Sequence, residues 1–203
     1  MKQSANKTFQ CQAFVNLVHD TPGITPQEEM EIINCFKPLS LRNKEFFLKE
    51  GEICKRIAYV CRGCLCYFRL FENGKKSVIQ FAFEDWWVGD LESFLNNKPS
   101  ANFWQSLENS ELIYISSNDF EKLMNTSRAF QSVFISKTRT AYIKSLERSA
   151  KDKSQSGKER YLRMINDHPQ IINRVPHYDV AAYLGITPES LSRIRHKLAT
   201  RQR

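Results

Sequence analysis

Val180-Ala181-Ala182-Tyr183-Leu184-Gly185-Ile186-Thr187-Pro188-Glu189-Ser190-Leu191-Ser192-Arg193-Ile194 is the stretch whose reading decides the fold. Val180, Ala181 and Leu184 recur at helical spacing, so a first helix carries one apolar face. Gly185 follows where that helix must stop, and glycine takes the left-handed conformation there at no steric cost. Thr187 can then cap a second helix, with Pro188 at its first position, where a missing N–H does no harm. In the second helix Leu191, Ile194 and Leu198 form an apolar stripe, while Glu189, Arg193 and Lys197 recur every four residues on another face. Ala181 is small enough for two helices to cross closely. These features describe a helix-turn-helix that lays a short helix in the DNA major groove. The alternative is a plain helical hairpin packed in a core, which does not require all of them to coincide.

Charge is distributed in keeping with that motif. The 203 residues carry a formal net charge of +8. Residues 137–203 hold 15 Lys/Arg against 6 Asp/Glu, and residues 1–136 hold 15 against 16. The whole positive excess therefore lies in the third of the chain that carries the helix-turn-helix, which is the electrostatic footprint of a polyanion-binding module. A solvated basic surface is the bland alternative. Apolar content of 41% and 14 Phe allow a real core, and seven Gly and seven Pro are too few for a disordered or fibrous chain. The length suits one large domain or two small ones.

No apolar run approaches the ~18 residues of a membrane span, and Met1-Lys2-Gln3-Ser4-Ala5-Asn6 lacks a signal peptide's apolar stretch. A cytoplasmic protein with reduced cysteines is expected. The six cysteines are Cys11, Cys35, Cys54, Cys61, Cys64 and Cys66. Cys61-Arg62-Gly63-Cys64 is formally a CxxC and invites a metal or iron–sulfur reading. It sits in a strand-like run, however, and no second CxxC or nearby His completes a zinc set. Buried cysteine acting as a small hydrophobe is the default, with Cys64 and Cys66 on one strand face. No metal and no cofactor are expected.

The chain before the motif divides by texture. Phe9, Phe14, Val15, Leu17 and Val18 suggest an outer helix within the first ~20 residues. Thr25-Pro26-Gln27-Glu28-Glu29 opens a capped helix with Met30, Ile32, Ile33 and Phe36 on its buried side, ended by Lys37-Pro38. From Leu39 to Ser116 short strands alternate with turns. Phe46 to Leu48 runs into a glycine turn, and Ile57 to Phe71 is strand-rich. Asn73-Gly74 signals a hairpin with two positive φ angles. In the returning strand Val78, Gln80 and Ala82 alternate with Ile79, Phe81 and Phe83. Glu84 to Asp90 is a turn into a loop, and Phe103–Leu107 and Glu111–Ile115 are the last strands. This pattern predicts an antiparallel barrel or double sheet. Asn118 to Met124 is a short helix. A long one follows over 128–153, with Phe130, Val133, Phe134, Ala141, Tyr142, Ile143, Leu146 and Ala150. Its use as a dimer stalk competes with a place along its own barrel, since Lys137 and Lys144 interrupt the heptad. Residues 153–157 form a hinge. Lys158 to Asp167 is another helix, with Tyr161, Leu162, Met164 and Ile165 inward.

A barrel, a long helix, a hinge and a C-terminal helix-turn-helix, in that order, resemble the Crp/Fnr family of bacterial transcription regulators. The resemblance spans about Thr25 to Ala199. It implies an α+β fold with an antiparallel β-roll or jelly-roll at 1–127, a dimerisation helix at 128–153 and a winged-helix-like DNA-binding domain at 154–203. The chain ends at Arg203, so the family's β-hairpin wing is expected to be missing or vestigial. The resemblance also implies base reading by Glu189 and Arg193. Arginine can bond bidentately to guanine, and glutamate can accept from a cytosine amino group. Thr187, Ser190 and the helix N-terminus suit phosphate, and Ser192 and Lys197 complete the expected DNA-facing set. Pro188 stands where the family often has a further arginine, so a different target site is expected.

The family's barrel often binds a cyclic nucleotide through a Gly-Glu-Leu loop and an Arg-Ser pair. Gly89-Asp90-Leu91 looks like the first. The second falls at Ser100-Ala101, without an arginine, and a buried phosphate lacking a cationic partner is strongly disfavoured. Tight cyclic AMP binding is therefore not expected. Phe103, Trp104, Trp86 and Trp87 could fill the pocket or leave it open. Cys11 stands alone near the N-terminus and His19 is an isolated histidine, which argues against iron–sulfur and haem. The expected partners are a palindromic double-stranded DNA operator, a second copy of the chain and RNA polymerase, with an unknown small-molecule effector left open and no membrane. The competing function is a small-molecule-binding or enzymatic barrel with a helical tail. His19, His168, His177 and His196 all lie outside the strand region, which counts against a metal-dependent enzyme.

Overall fold

In the computed structural model, which describes residues 11–200, the middle of the chain forms two four-stranded antiparallel sheets. The strands are β1 (Lys37–Leu41), β2 (Phe46–Leu48), β3 (Arg56–Arg62), β4 (Leu65–Leu70), β5 (Lys76–Ala82), β6 (Trp87–Val88), β7 (Phe103–Ser106) and β8 (Ser110–Ser116). One sheet has the order β1-β8-β3-β6 and the other β2-β7-β4-β5. Strands consecutive in sequence thus fall largely in different sheets, and the expected antiparallel roll is present. Trp104, Leu65, Leu112 and Ile115 fill its interior with no more than 2% exposure. Each such side chain contributes about 1.5–3 kcal/mol by burial.

Helices bracket the roll. On its N-terminal side lie α1 (Gln12–His19) and α2 (Pro26–Cys35), the latter opened by the expected capping box of Thr25 and Glu28. Ile32 is buried, but Met30 faces outward at 65% exposure, against expectation. Phe9 lies outside the described residues. Lys37 and Pro38 end α2 and also begin β1. The loop after β5 contains the two-residue β6, and Leu91–Asn96 form a short α3 that the periodicity did not reveal. After α4 (Ser117–Thr126), α5 runs from Arg128 to Ser154, as expected from a stretch free of Gly and Pro.

Two local irregularities correct the strand reading. The β4–β5 connection closes between Phe71 and Lys75, with a positive φ at Gly74 but not at Asn73. In β5 the register moves from Gln80 opposite Tyr67 to Val78 opposite Phe68, leaving Ile79 as an extra residue. A bulge of this kind flips side-chain parity. Val78 therefore joins Phe81 and Phe83 on one face instead of opposing them, and all three are buried.

That face lies outside the roll and is covered by the C-terminal helices α6 (Gly157–Asp167), α7 (Ile171–Arg174), α8 (His177–Leu184) and α9 (Pro188–Ala199). Cys64, Cys66, Phe68, Val78, Phe81 and Phe83 form one apolar cluster with Tyr161, Met164, Ile171, Val180, Ala181, Leu184 and Leu191. Cys64 and Cys66 share this face, as their spacing predicts, whereas Leu65 belongs to the interior cluster. Leu162 is 38% exposed and does not join the buried side of α6. The hinge is shorter than expected. α5 reaches Ser154 and Ser156 already caps α6, so only Gln155 and Ser156 separate the two helices.

The cysteines also depart from expectation. Cys11, at the start of α1, is disulfide-bonded to Cys61 in β3, with Cα atoms 5.4 Å apart. Cys35, Cys54, Cys64 and Cys66 are free thiols. The two half-cystines lie 50 residues apart, and the α1 packing that brings them together is not visible in their spacing.

Candidate nucleic-acid interface

The helix-turn-helix is built from the signals in its sequence. α8 ends at Leu184, and Gly185 follows with φ +64°, in the left-handed region. The Ile186 N–H returns to the Ala181 carbonyl at 3.0 Å, which satisfies an otherwise open helix end. Thr187 caps α9, its hydroxyl accepting from the Ser190 N–H at 3.2 Å, and Pro188 occupies the first turn. Ala181 is 1% exposed and Leu191 2%, so the crossing is tight. Two arginines of α6 brace the assembly. Arg160 donates to the Leu184 carbonyl at 2.9 Å and to the Gln155 carbonyl at 2.7 Å. Arg163 pairs with Asp152 and with the Gln155 side chain, across the break between α5 and α6.

The outer face of α9 is free. Thr187, Glu189, Ser192, Arg193 and Lys197 are exposed, and Ser190 is half-buried. Arg193 donates to the Ser190 hydroxyl at 3.2 Å, which holds its guanidinium toward the helix N-terminus. The Glu189 carboxyl lies below its ordinary value. Its own amide N–H at the helix start contributes most, followed by the Thr187 hydroxyl, with the Arg193 charge assisting against slight desolvation. Glu189 is thus an anionic acceptor one helical turn from a cationic donor, the chemistry that base edges require. Arg195 is half-buried and contacts His177, outside the set identified from sequence.

The barrel residues fall into two groups. Asp90 is 6% exposed and caps α3, accepting from the Ser93 N–H at 3.1 Å. Its second oxygen accepts from Ser100 Oγ at 2.7 Å, Tyr67 OH at 2.9 Å and Asn102 Nδ2 at 3.2 Å. Burial alone would raise this carboxyl. Ser100, the Ser93 N–H, Tyr67 and Asn102 together outweigh burial and hold it below its ordinary value. Gly89 lies against Ile57, where a Cβ would meet Cγ2 at 2.7 Å, so the backbone must approach closely. Leu91 and Ala101 are exposed and stand outside the Asp90 network. Ser100-Ala101 lacks an arginine, but the fold brings Arg69 of β4 to this network, unmarked by any sequence signal, where it donates to Asn102 Oδ1 at 3.0 Å.

The four aromatic residues divide as well. Trp104 is buried and stacks on Tyr67, ring centres 4.7 Å apart. Phe103 stacks on Phe68 at 5.1 Å. Trp87 packs on Phe14 of α1, and Trp86 on His168 after α6. His19 is bonded to Glu29 at 3.1 Å.

The contacts between barrel and C-terminal helices escaped the sequence entirely. Arg174 forks onto Glu84, at 2.7 and 2.8 Å, and onto Glu108 at 2.5 Å. The Glu84 carboxyl is lowered to about 2, chiefly by its hydrogen bonds to Arg174, against partial burial and with help from the Gly63 N–H. Lys76 of β5 pairs with Asp179 of α8, which has no exposed side-chain surface.

Residues 38–127 match the cyclic nucleotide-binding domain family. No curated protein matches the sequence. Among solved structures, FixK2 from Bradyrhizobium japonicum superposes with a TM-score of 0.73 at 14% identity, over 82% of this chain and 86% of that one. CLP, the c-di-GMP-responsive global regulator of Xanthomonas campestris, gives 0.69 at 15% identity over 88% and 93%. A regulator of the Crp/Fnr family from Eubacterium rectale gives 0.69 at 12% identity over 88% and 85%. Strand topology, helix order and superposition over most of both chains agree: this chain has the fold of the Crp/Fnr-type regulators, and its residues 38–127 match the cyclic nucleotide-binding domain family.

Proposed function

We propose that the protein is a homodimeric, sequence-specific DNA-binding transcription regulator whose barrel does not bind cyclic AMP tightly. One observation carries the reading. A capped recognition helix in the chain's basic third exposes Glu189, Arg193 and Lys197 on one face, with Thr187 and Ser190 at its N-terminus. Residues 154–203 would read DNA, 128–153 would join two copies and 1–127 would form the sensor-like barrel. Residues 1–10 and 201–203 lie outside the described structure.

The helix α5 supports the dimer. Only Ala129 and Phe130 are buried along it, while Ile135, Tyr142, Ile143 and Leu146 are 48–63% exposed and share one face. A 27-residue helix is about 40 Å long, and two copies could hold recognition helices in successive major grooves. The barrel supports the effector reading. The buried Asp90 carboxylate would repel an anionic ligand brought against it, and its hydrogen bonds are already taken by Ser93, Ser100, Tyr67 and Asn102.

The decisive experiment is binding-site selection from random duplexes with the wild type and Arg193→Ala. The wild type should return a two-fold symmetric site whose affinity falls steeply with salt. Arg193→Ala should lose about 1–3 kcal/mol of specific binding and relax one base position per half-site. An unchanged sequence preference would remove Arg193 from the reading face. Isothermal titration with cyclic AMP should give no low-micromolar binding.

A further inference from the structure

The Cys11–Cys61 bridge joins two places of different character. Cys11 precedes the first residue of α1 and is 6% exposed. Cys61 is half-buried, at the irregularity between Val60 and Arg62 where β3 slips against β8. Their Cα separation of 5.4 Å suits an ordinary bridge. The helix that it secures is only eight residues long, too short to persist without packing. Its anchors on the barrel are Phe14, set among Phe36, Tyr59 and Trp87, and Val18. The covalent tie therefore bears on whether α1 stays in place.

The strand end carrying Cys61 and the Gly63 that follows it also hold the segment from Glu84 to Trp86. The Val60 N–H donates to the Trp86 carbonyl at 2.9 Å, and the Asp85 N–H donates to the Val60 carbonyl at 2.9 Å. The Gly63 N–H donates to Glu84 at 2.8 Å. Glu84 grips the C-terminal helices through Arg174, and Trp86 packs on the His168 ring at 5.2 Å. The stretch from Val60 to Gly63 thus connects the disulfide to the barrel's hold on the C-terminal helices.

We propose that Cys11–Cys61 is a reversible thiol–disulfide site, reduced by a dithiol or two equivalents of a low-molecular-weight thiol, and that its reduction frees α1 and loosens the docking of the C-terminal helices. A reductant thiolate attacks one sulfur of the bridge, forms a mixed disulfide and expels the other cysteine as a thiolate. A second reductant thiolate then attacks the mixed disulfide and releases the first cysteine. Two electrons pass to the bridge, Cys11 and Cys61 each take up a proton, and the reductant leaves as its own disulfide. A low-molecular-weight disulfide reverses the exchange. Cys54, Cys64 and Cys66 are buried, so the pair has little competition within the barrel. A pre-set domain orientation lowers the cost of engaging two half-sites, so the oxidised form binds DNA more tightly. That last consequence rests on the DNA-reading function proposed above.

The full-length protein, equilibrated in dithiothreitol or in oxidised glutathione, tests this. Alkylation under denaturing conditions should count four free thiols in the oxidised sample and six in the reduced one. Hydrogen exchange should accelerate on reduction in α1 and also in α7, which ends in Arg174. Cys11→Ser and Cys61→Ser should exchange like the reduced protein in both conditions, and Cys35→Ser like the wild type. Six thiols in oxidised glutathione, or unchanged exchange on reduction, overturns the site; faster exchange in α1 alone overturns the coupling to the C-terminal helices. Affinity for selected duplexes should weaken roughly tenfold on reduction, and equal affinity in the two states overturns the effect on DNA. A protein that binds no duplex in either state removes the DNA-reading function, while thiol counts and exchange still decide the redox site.

Discussion

Asp179 sits at the first turn of α8 with no exposed side-chain surface, and its Oδ2 has no hydrogen-bond partner among the described residues. Its other oxygen meets the Lys76 ammonium, which also lies over the Phe68 ring at 4.1 Å. A buried carboxylate with one cationic partner depends on that partner. Lys76→Met should cost about 3–5 kcal/mol, because it strands the charge. Lys76→Met combined with Asp179→Leu should recover most of the loss. Thermal unfolding of the two variants measures both effects, and a single substitution that leaves stability unchanged would mean that the carboxylate reaches water. No sequence pattern reveals this pair, because its members lie 103 residues apart in elements whose docking periodicity does not encode. The exposed face of α9 differs. Glu189 and Arg193 belong to one helix and Thr187 caps it, so their geometry follows from local spacing alone.

At the scale of elements, legibility followed length and parity. α5 could be read because 27 residues without Gly or Pro leave few alternatives, and the capping box of α2 marked its start. α3 and β6 went unseen because six and two residues are too few to show a period. The single extra residue in β5 reversed the expected alternation and moved Val78 to the outer face. The exposed stripe of α5 makes its own prediction. Leu146→Asp leaves the buried contacts of the monomer intact, so its stability should change by no more than about 0.5 kcal/mol. It should nevertheless convert a dimer to a monomer in sedimentation equilibrium and abolish binding to two-fold sites. A dimer that persists would mean that another surface joins the copies.

For the molecule as a whole, the question is how firmly the barrel holds the C-terminal helices across pH. Glu84 has its folded value lowered to about 2 from an ordinary 4.5, principally by Arg174. A lowered carboxyl stabilises the folded form fully above its ordinary value, and that contribution disappears as pH falls from 4.5 toward 2. His168, lowered mainly by burial, acts with the same sign from a higher starting point, since the neutral ring is preferred in place. Its contribution begins to fade as pH drops below its ordinary 6.5. Trp86 touches His168, so an acid titration followed by tryptophan fluorescence should report the change in packing. Glu84→Gln should remove the component between pH 4.5 and 2 and leave the His168 component unchanged. A wild-type curve flat down to pH 2 would mean that neither group bears on the docking.

The apolar outer face of β4 and β5 has a consequence for descent. A C-terminal unit could be exchanged by recombination at the break between α5 and α6. Here Cys64, Cys66, Phe68, Val78, Phe81 and Phe83 would be left bare by such an exchange, unless the incoming unit carried surfaces matching Val180, Ala181 and Leu184. The β4–β5 hairpin and the helix-turn-helix should therefore be exchanged together, and crossovers near residue 155 should survive only where both halves of that surface are kept.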